Sequence, residues 1–362
     1  MTNAVAQSAA TAATVDIPLA APHGFSAANI SPVGNGQFCV SGFVYDDAGP
    51  SESAYVLLVD TNRRQVVWRT PIPYARDHVS NTATRCLSDG SAYYVVTQEH
   101  TNSSESLNQT RVVINKISDK GALLKQQPVK TGFDEWSYFL DVQPNLVSVG
   151  GGTSATLDRG GNFSTFVAQF DANLNPTKTV KLDNGAFWTG SKARLDGDSL
   201  LVSGEFMPNK GASAGGHDAF ASAKIDLGRS RYTWASYALP NDTQQATAIF
   251  TPDGATYTVG LTATDLAVSV VDRTGKAVNT FAVKKPLCGL DAATLNGQHM
   301  KVIGSACKGD AAVMVDIDLA GKTASAARQL DANVVAPQFD DQSWVAVVGT
   351  KANGKVFRRN AQ

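Results

Sequence analysis

Four ionisable residues in two short segments are the clearest candidates for chemistry in this sequence. Asp77 and His78 are neighbours, and a carboxylate beside an imidazole could orient it as a general base. Asp134 and Glu135 are also neighbours, but adjacent side chains on a strand point to opposite faces, so they make a poor catalytic pair. A local hydrogen bond or a solvent-exposed turn is the alternative interpretation of Asp77 and His78.

Aromatic and charged residues surround both segments, and a third segment of the same kind follows. Rings beside carboxylates, an arginine and a histidine suit the binding of a glycan, a peptide or a loop of a partner protein. Packing inside the fold is the alternative interpretation of Phe133, Trp136 and Trp188. The predicted binding residues are Tyr74, Arg76, Asp77, His78, Phe133, Asp134, Glu135, Trp136, Phe187 and Trp188.

Sequence motifs of known catalytic and cofactor sites are absent or lack their context. Gly211-Ala-Ser-Ala-Gly215 has the letters of a nucleophile elbow, but polar loop residues flank it where a strand and a helix are needed. The sequence has no His-Glu-x-x-His motif, no phosphate-binding loop with lysine and no EF-hand pattern, and its 5 histidines are far apart. We therefore predict no catalytic residue, no metal and no cofactor.

Composition excludes two further classes of partner. The formal net charge is -1, and the basic pairs are scattered, so the basic surface of a nucleic-acid-binding protein is missing. No apolar run has the length of a membrane span. The 362 residues, 43% of them hydrophobic, can bury a large core, and we expect a monomer.

The 4 cysteines and the N-terminus bear on the cellular compartment. Cys39 and Cys86 lie in neighbouring repeats, and a hairpin could bring Cys288 to Cys307, so two disulfides and an oxidising compartment are one interpretation. Buried free thiols are the other. Residues 1–14 are predicted to be a flexible leader without the features of a signal peptide. The favoured interpretation is the leader of an exported protein, and the alternative is a disordered cytosolic tail.

A unit of turn, strand, loop and strand recurs along the chain. Its clearest copy has a turn at Thr251-Pro-Asp-Gly254, a strand that ends at Gly260 and a strand that ends at Asp272. The first of these strands ends at positions 42, 97, 150, 204, 260, 304 and 349, so the copies are 44 to 56 residues apart. Such spacings are close to the periods of propellers and related arrays. The other strand ends at Asp60, Ser118, Asp171, Asp226, Asp272 and Asp318.

With these seven copies, the chain resembles the β-propeller superfamily over nearly its whole length. The last copy has room for three strands after Val334, and Val15-Asp-Ile-Pro-Leu19 can supply the fourth. We therefore predict an all-β fold, a seven-bladed β-propeller closed by an N-terminal strand, over a single domain of residues 15–362. A ring of six or eight blades is the alternative. The Trp-Asp signature of WD40 repeats and the tryptophan-docking pattern of quinoprotein blades are missing, so the resemblance assigns no family and no functional residue.

The resemblance implies where a site would lie. In a propeller, the loops between second and third strands share one face with the loops between blades, and both surround the central channel. The predicted binding residues fall in the loops between blades, and two long loops, Thr97 to Thr110 and Met207 to Asp218, are expected on the same face as mobile elements.

Two functional hypotheses follow from the sequence. The favoured one is a non-catalytic periplasmic or secreted binding protein of the bacterial envelope, which engages a protein or glycan partner, in the manner of an inhibitor in one version. The alternative is a carbohydrate-active hydrolase or lyase that uses Asp77, His78, Asp134 or Glu135 at the channel mouth.

Overall fold

The computed structural model describes most of the chain as strands and tight turns. The described residues are 15–22, 24–45, 51–101, 109–132, 134–154, 162–188, 190–209, 219–237, 245–309, 311–330, 334–340, 343–348 and 355–360. The leader at 1–14, Phe133, half of the loop from Thr97 to Thr110 and most of the loop from Met207 to Asp218, with its Gly211 to Gly215 segment, lie outside them. No helix among these ranges is long and apolar enough to cross a membrane.

The first half of the chain forms one isolated strand and three repeats, which we number as units one to three. The isolated strand is β1 (Val15–Pro18). Unit one contains β2 (Phe25–Gly34), β3 (Gln37–Tyr45), β4 (Glu52–Asp60) and β5 (Gln65–Ile72). Unit two contains β6 (Ser80–Ser88), β7 (Ala92–His100), β8 (Thr110–Ser118) and β9 (Leu123–Pro128). Unit three contains β10 (Glu135–Gln143), β11 (Leu146–Ser154), β12 (Phe163–Phe170) and β13 (Pro176–Leu182).

The second half forms four more units. A short strand, β14 (Gly185–Phe187), precedes unit four, which contains β15 (Lys192–Asp196), β16 (Ser199–Pro208), β17 (Ala219–Asp226) and β18 (Arg231–Tyr237). Unit five contains β19 (Gln245–Phe250), β20 (Thr256–Leu261), β21 (Asp265–Val271) and β22 (Ala277–Lys284). Unit six contains β23 (Ala292–Asn296), β24 (His299–Ser305), β25 (Ala312–Asp318), β26 (Thr323–Ala324) and β27 (Arg328–Gln329). Unit seven contains β28 (Val334–Asp340), β29 (Ser343–Val348) and β30 (Lys355–Asn360).

Strands that are consecutive in sequence pair antiparallel within each unit. In unit six, β26 and β27 both pair with β25, and β14 joins units three and four into one nine-stranded sheet. β1 pairs antiparallel with β30, with Ile17 opposite Val356, and makes unit seven a four-stranded sheet. The all-β expectation is therefore confirmed, as is the predicted strand at Val15.

The core lies between neighbouring units, where the faces of their sheets meet. Tyr94 of unit two and Phe166 of unit three belong to one buried cluster, and Phe38 of unit one belongs to another with Val345 of unit seven. Buried clusters of this kind also join units one and two, three and four, five and six, and six and seven. Because each sheet is apolar on both faces, a unit can bury its surface only between two neighbours.

The interface of units four and five includes a buried cluster of hydroxyl groups. Ser203 Oγ lies 2.6 Å from Thr258 Oγ1 and 2.9 Å from Ser222 Oγ, so these polar groups satisfy one another. The recurring glycine of unit five, Gly260, lies beside this cluster against the buried Phe220 ring. A side chain at position 260 would overlap that ring, which explains the glycine physically.

The recurring aspartate explains the other half of the repeat. Asp272 Oδ1 accepts hydrogen bonds from the backbone N–H groups of Thr274, at 2.8 Å, and Lys276, at 3.0 Å. Asp171 and Asp318 close the turns after their own strands in the same way. Such bonds favour the ionised form and lower the pKa of all three carboxyls. At Asp272 the largest contribution to the lowered pKa is the hydrogen bond from the Thr274 hydroxyl.

Both predicted disulfides are present. Cys39 on β3 is bonded to Cys86 on β6, so this bridge joins units one and two within their buried interface. Cys288 and Cys307 form an exposed bridge between the segment that leads into unit six and the segment that follows β24. The interpretation of the cysteines as free thiols is therefore wrong.

Replacement of Gly260 by alanine should lower the free energy of unfolding by about 1–3 kcal/mol, because the added methyl group must displace the Phe220 ring. Urea denaturation measures this change. Gly190→Ala is the matched control, since the nearest atom to its new Cβ, the Ala246 carbonyl oxygen, would be 3.7 Å away. Equal stability of the two variants would contradict the packing argument.

Loss of the turn carboxylates should make the protein less sensitive to acid. Their pKa values are lower in the folded state, so their stabilisation is present above about pH 4 and is lost as the pH falls. A D171N/D272N/D318N variant should melt below the wild type at pH 6, and the difference in melting temperature should shrink as the pH falls below the usual aspartate pKa. Asp198→Asn is the control, because this exposed side chain makes no hydrogen bond with the described residues. A constant difference at every pH would contradict this assignment.

Candidate functional site

The segments that lead into the units are fixed against the ends of the second strands. The backbone N–H of Val79 donates to the His100 carbonyl at 2.9 Å, and that of Ser154 donates to the Asp134 carbonyl at 2.9 Å. Trp188 makes the equivalent bond to Glu205 at 2.9 Å, and Cys288 makes it to Ser305 at 2.8 Å. One face of the molecule therefore carries both kinds of segment. Of the nine predicted binding residues that the structure describes, six belong to the segments between β5 and β6, β9 and β10, or β14 and β15. The prediction of a loop position is wrong for Glu135 and Trp136, which begin β10, and for Phe187, which ends β14.

The first predicted group lies between β5 and β6. Tyr74 is half-buried, Arg76 and Asp77 are exposed, and His78 is buried. His78 Nδ1 lies 2.9 Å from Asp77 Oδ1 and 3.9 Å from Glu99 Oε2. The bond with His78 is the main reason why the pKa of Asp77 is lowered. The local hydrogen bond that the sequence left open as an alternative is thus present.

An ion pair of the buried Glu99 with Arg111 lies next to Asp77 and His78. Glu99 accepts a hydrogen bond from Arg111 Nη2 and has only 2% of its side chain exposed. Burial also lowers the pKa of the nearby His100. This group stabilises the segment before β6.

The second predicted group contains carboxylates that hold backbone. Asp134 Oδ1 accepts hydrogen bonds from the N–H groups of Gln109 and Thr110, at 2.6 and 3.0 Å. Glu135 is buried, and its Oε1 accepts from both the N–H and the hydroxyl of Thr131. Burial still raises the Glu135 pKa. Both carboxylates tie the segments around β10 together.

The third predicted group brings Trp136, Phe187 and Trp188 into contact. Trp136 is buried, and its indole Nε1–H donates to the Phe187 carbonyl at 2.9 Å. Its ring centroid lies 5.1 Å from that of Trp188, whose surface is 40% exposed. The Trp188 carbonyl accepts from the Ser191 N–H at 3.0 Å, which closes a tight turn. Trp136 therefore packs inside the fold, as the alternative interpretation of this residue expected, whereas the neighbouring Trp188 is exposed.

A central cavity of about 700 Å³ lies beside Trp188. Six of the units contribute to its wall, mainly through the first strand, and the segment that leads into unit six contributes Leu290 and Asp291. Its wall contains two carboxylates, Glu205 and Asp291, and a set of neutral polar side chains: Asn29, Thr84, Gln98, Ser137, Gln245, Thr247 and Gln338. Asp77, His78, Asp134 and Glu135 do not line it. The alternative hypothesis of an enzyme expected these four residues at its mouth.

Two cations in the central cavity were missed by the sequence analysis. Arg85 on β6 and Lys192 on β15 both line it, from units two and four. Enclosure by protein, together with the positive charge of Arg85, lowers the Lys192 pKa to about 7. Enclosure also lowers the Arg85 pKa, to about 10. Both lie on first strands, whereas the predicted binding residues were assigned to loops between units.

Comparisons with known proteins identify the architecture and no family. No protein-family model matches the chain, and no curated protein matches its sequence. Among solved structures, the Dos1 propeller is 10% identical with a TM-score of 0.58, covering 95% of this chain and 93% of that chain. The chain has the β-propeller fold. Hydrazine synthase from Kuenenia stuttgartiensis is 11% identical with a TM-score of 0.57, covering 99% of both chains.

One further structure with a comparable degree of structural similarity is an enzyme. Puromycin hydrolase is 14% identical with a TM-score of 0.53, covering 90% of this chain and 50% of that chain. At such identities the similarity concerns the fold alone. The propeller's function must therefore be argued from its own residues.

Replacement of Trp136 by phenylalanine should lower the free energy of unfolding by about 1–3 kcal/mol, because the buried Phe187 carbonyl loses its donor. Trp234→Phe is the matched control. The Trp234 indole donates to the Arg273 carbonyl at 3.2 Å in an exposed place, where water can replace it. Urea denaturation of both variants measures the difference, and an equal loss would contradict the proposed importance of the buried bond.

Proposed function

We propose that this chain is a single propeller domain over residues 15–362 that binds a partner without catalysis. In this proposal, the seven units are seven blades, and β1 closes the ring by completing the last one. The pairing of β1 with β30 supports closure, as does the contribution of six of the units, and of the segment that leads into unit six, to the central cavity. The bound partner is a protein or a glycan, and the binding surface is the face beside the cavity mouth.

The exposed indole of Trp188 carries the proposal. Its ring is 40% exposed, lines the central cavity and belongs to none of the buried core clusters of the described residues. Trp136 supports it from below, and two backbone hydrogen bonds fix its position. A rigid aromatic side chain loses little entropy on binding, which suits an anchor for a partner.

The other predicted residues have two roles in this proposal. Tyr74, Arg76 and Asp77 are accessible and extend the binding surface along the same face. His78, Glu135, Trp136 and Phe187 are buried, so they act by positioning the surface. Asp134 is half-buried and holds the start of β8 through backbone bonds.

The alternative of a carbohydrate-active hydrolase or lyase is less well supported by the site. Its carboxylates needed to converge on the channel mouth, yet Asp134 and Glu135 are occupied by backbone N–H groups. The Asp77 and His78 pair remains, but it does not line the cavity. General acid and base catalysis needs both groups within reach of one substrate bond.

We place the protein in the bacterial periplasm or outside the cell. The two disulfides support this, because such bonds persist in oxidising compartments. In either compartment, the propeller face would bind a glycan, or bind and inhibit a partner protein.

Replacement of Trp188 by alanine should abolish partner binding, with a loss of affinity of about 2 kcal/mol or more if it is an anchor. The protein would be immobilised and exposed to an envelope extract of the source organism. Retained proteins and glycans would be identified by mass spectrometry and measured again in purified form. Val278→Ala is the control, since this residue is 57% exposed on the outer strand β22.

Two outcomes would overturn the proposal. One is a partner whose affinity is equal for wild type, Trp188→Ala and Val278→Ala, because binding would then use another surface. The other is turnover of a polysaccharide that Asp77→Asn or His78→Gln abolishes, because the chain would then be an enzyme.

A further inference from the structure

Arg85 and Lys192 lie where two cavities meet. The central cavity of about 700 Å³ is continued by a second cavity of about 360 Å³. Arg85, Lys192, Thr247 and Gln338 line both, so these four side chains surround the junction. They come from units two, four, five and seven, so four units contribute side chains to the junction.

The two cations at this junction form no direct ion pair with the described residues, although two carboxylates, Glu205 and Asp291, line the same central cavity. Neither side chain forms a hydrogen bond or an ion pair with another residue in the part of the chain that the structure describes. Asp291 is near enough to influence Lys192 electrostatically, yet it forms no ion pair with it. The second cavity adds Arg194 and has no carboxylate in its wall. Arg194 itself is held by the carbonyls of Phe250 and Thr251, at 3.0 and 2.9 Å.

The rest of the wall indicates what kind of anion would fit. Protein interfaces have apolar centres, whereas this cavity presents amides and hydroxyls from nearly every unit. Its volume falls in the range of small-molecule sites, about 300–1,000 Å³. The exposed Trp188 indole lies at the wall and offers a flat apolar surface to a ring. A ligand that matches all of these features has a carboxylate, several hydroxyl groups and a ring.

We propose that the central cavity binds a sugar acid, with its carboxylate held between Arg85 and Lys192 and its hydroxyl groups bound by the surrounding amides. The sugar acid is either a free uronate or the terminal unit of an acidic glycan. This inference deepens the proposed function and rests on it for the face that the ligand uses. It assigns Arg85 and Lys192 as ligand-binding residues.

Calorimetry with glucuronate, with a glucuronate-terminated oligosaccharide and with glucose tests the assignment. The wild type should bind both acidic ligands and bind glucose at least about tenfold more weakly, because glucose lacks the charge-assisted hydrogen bonds. Tighter binding of the oligosaccharide than of free glucuronate identifies the end of an acidic glycan as the ligand. Equal affinity identifies the free sugar acid.

Arg85→Gln and Lys192→Gln should each weaken glucuronate binding about tenfold or more. Lys178→Gln removes the same charge from the exposed outer strand β13 and should leave affinity unchanged. Arg85→Lys keeps the charge and should retain most of the affinity. Melting curves of all four variants show whether each is folded, and Arg85→Lys keeps the test decisive if Arg85→Gln is not.

The pH dependence separates a direct role of Lys192 from a structural one. Lys192 is charged below its pKa of about 7, so affinity for the anion should fall as the pH rises from 6 to 8. Charged groups that face or adjoin it are Arg85 from β6, Glu205 from β16, Asp291 before β23, and Arg194 on its own strand. Lys192→Gln should lose this dependence while the melting temperature shows no comparable change.

The outcomes distinguish this inference from the proposed function. If Trp188→Ala abolishes partner binding but uronates neither bind nor compete, the inference is wrong and the proposed function stands. If uronates bind through Arg85 and Lys192 while no partner requires Trp188, the proposed function fails in its general form. Equal binding of inorganic phosphate, sulfate and glucuronate, or competition by acidic peptides alone, would overturn the assignment to a sugar acid.

Discussion

The whole architecture depends on the burial of two apolar faces per sheet. An isolated four-stranded sheet would leave Tyr94 or Phe166 in water, and such side chains gain about 1.5–3 kcal/mol each from full burial. Neighbouring units cover these faces pairwise, and the cluster shared by units seven and one extends this packing across the chain ends. The contact of β1 with β30 thus covers Ile17 at the point where the two ends meet.

The first strands contribute both to the core and to the central cavity. Tyr138 of β10 is buried in the core and Cys86 of β6 forms a disulfide, whereas Asn29 of β2 and Gln245 of β19 line the cavity. The segments that lead into the units are constrained by backbone hydrogen bonds and by the Cys288–Cys307 bridge. A rigid rim around a polar cavity follows from the same constraint that builds the core.

The sequence allowed most of the fold to be predicted because its repeat has local physical causes. Gly260 is required by a close approach, and Asp272 closes a turn, so both leave a periodic trace. The site is less periodic. Trp136 and Trp188 are in contact although they are far apart in the sequence, so no local sequence pattern predicts this contact. Arg85 and Lys192 could have been found by aligning the first strands, where most units carry small or neutral polar residues.

The electrostatics of the cavity argue that Arg85 and Lys192 are retained for a purpose other than stability. Two enclosed like charges repel each other, and the lowered Lys192 pKa records that the folded state disfavours its charged form. Elsewhere in the same protein, buried charges such as Glu99 are paired. Local rules of stability are typically broken at functional sites, and two enclosed cations without a direct ion pair among the described residues break one in the central cavity.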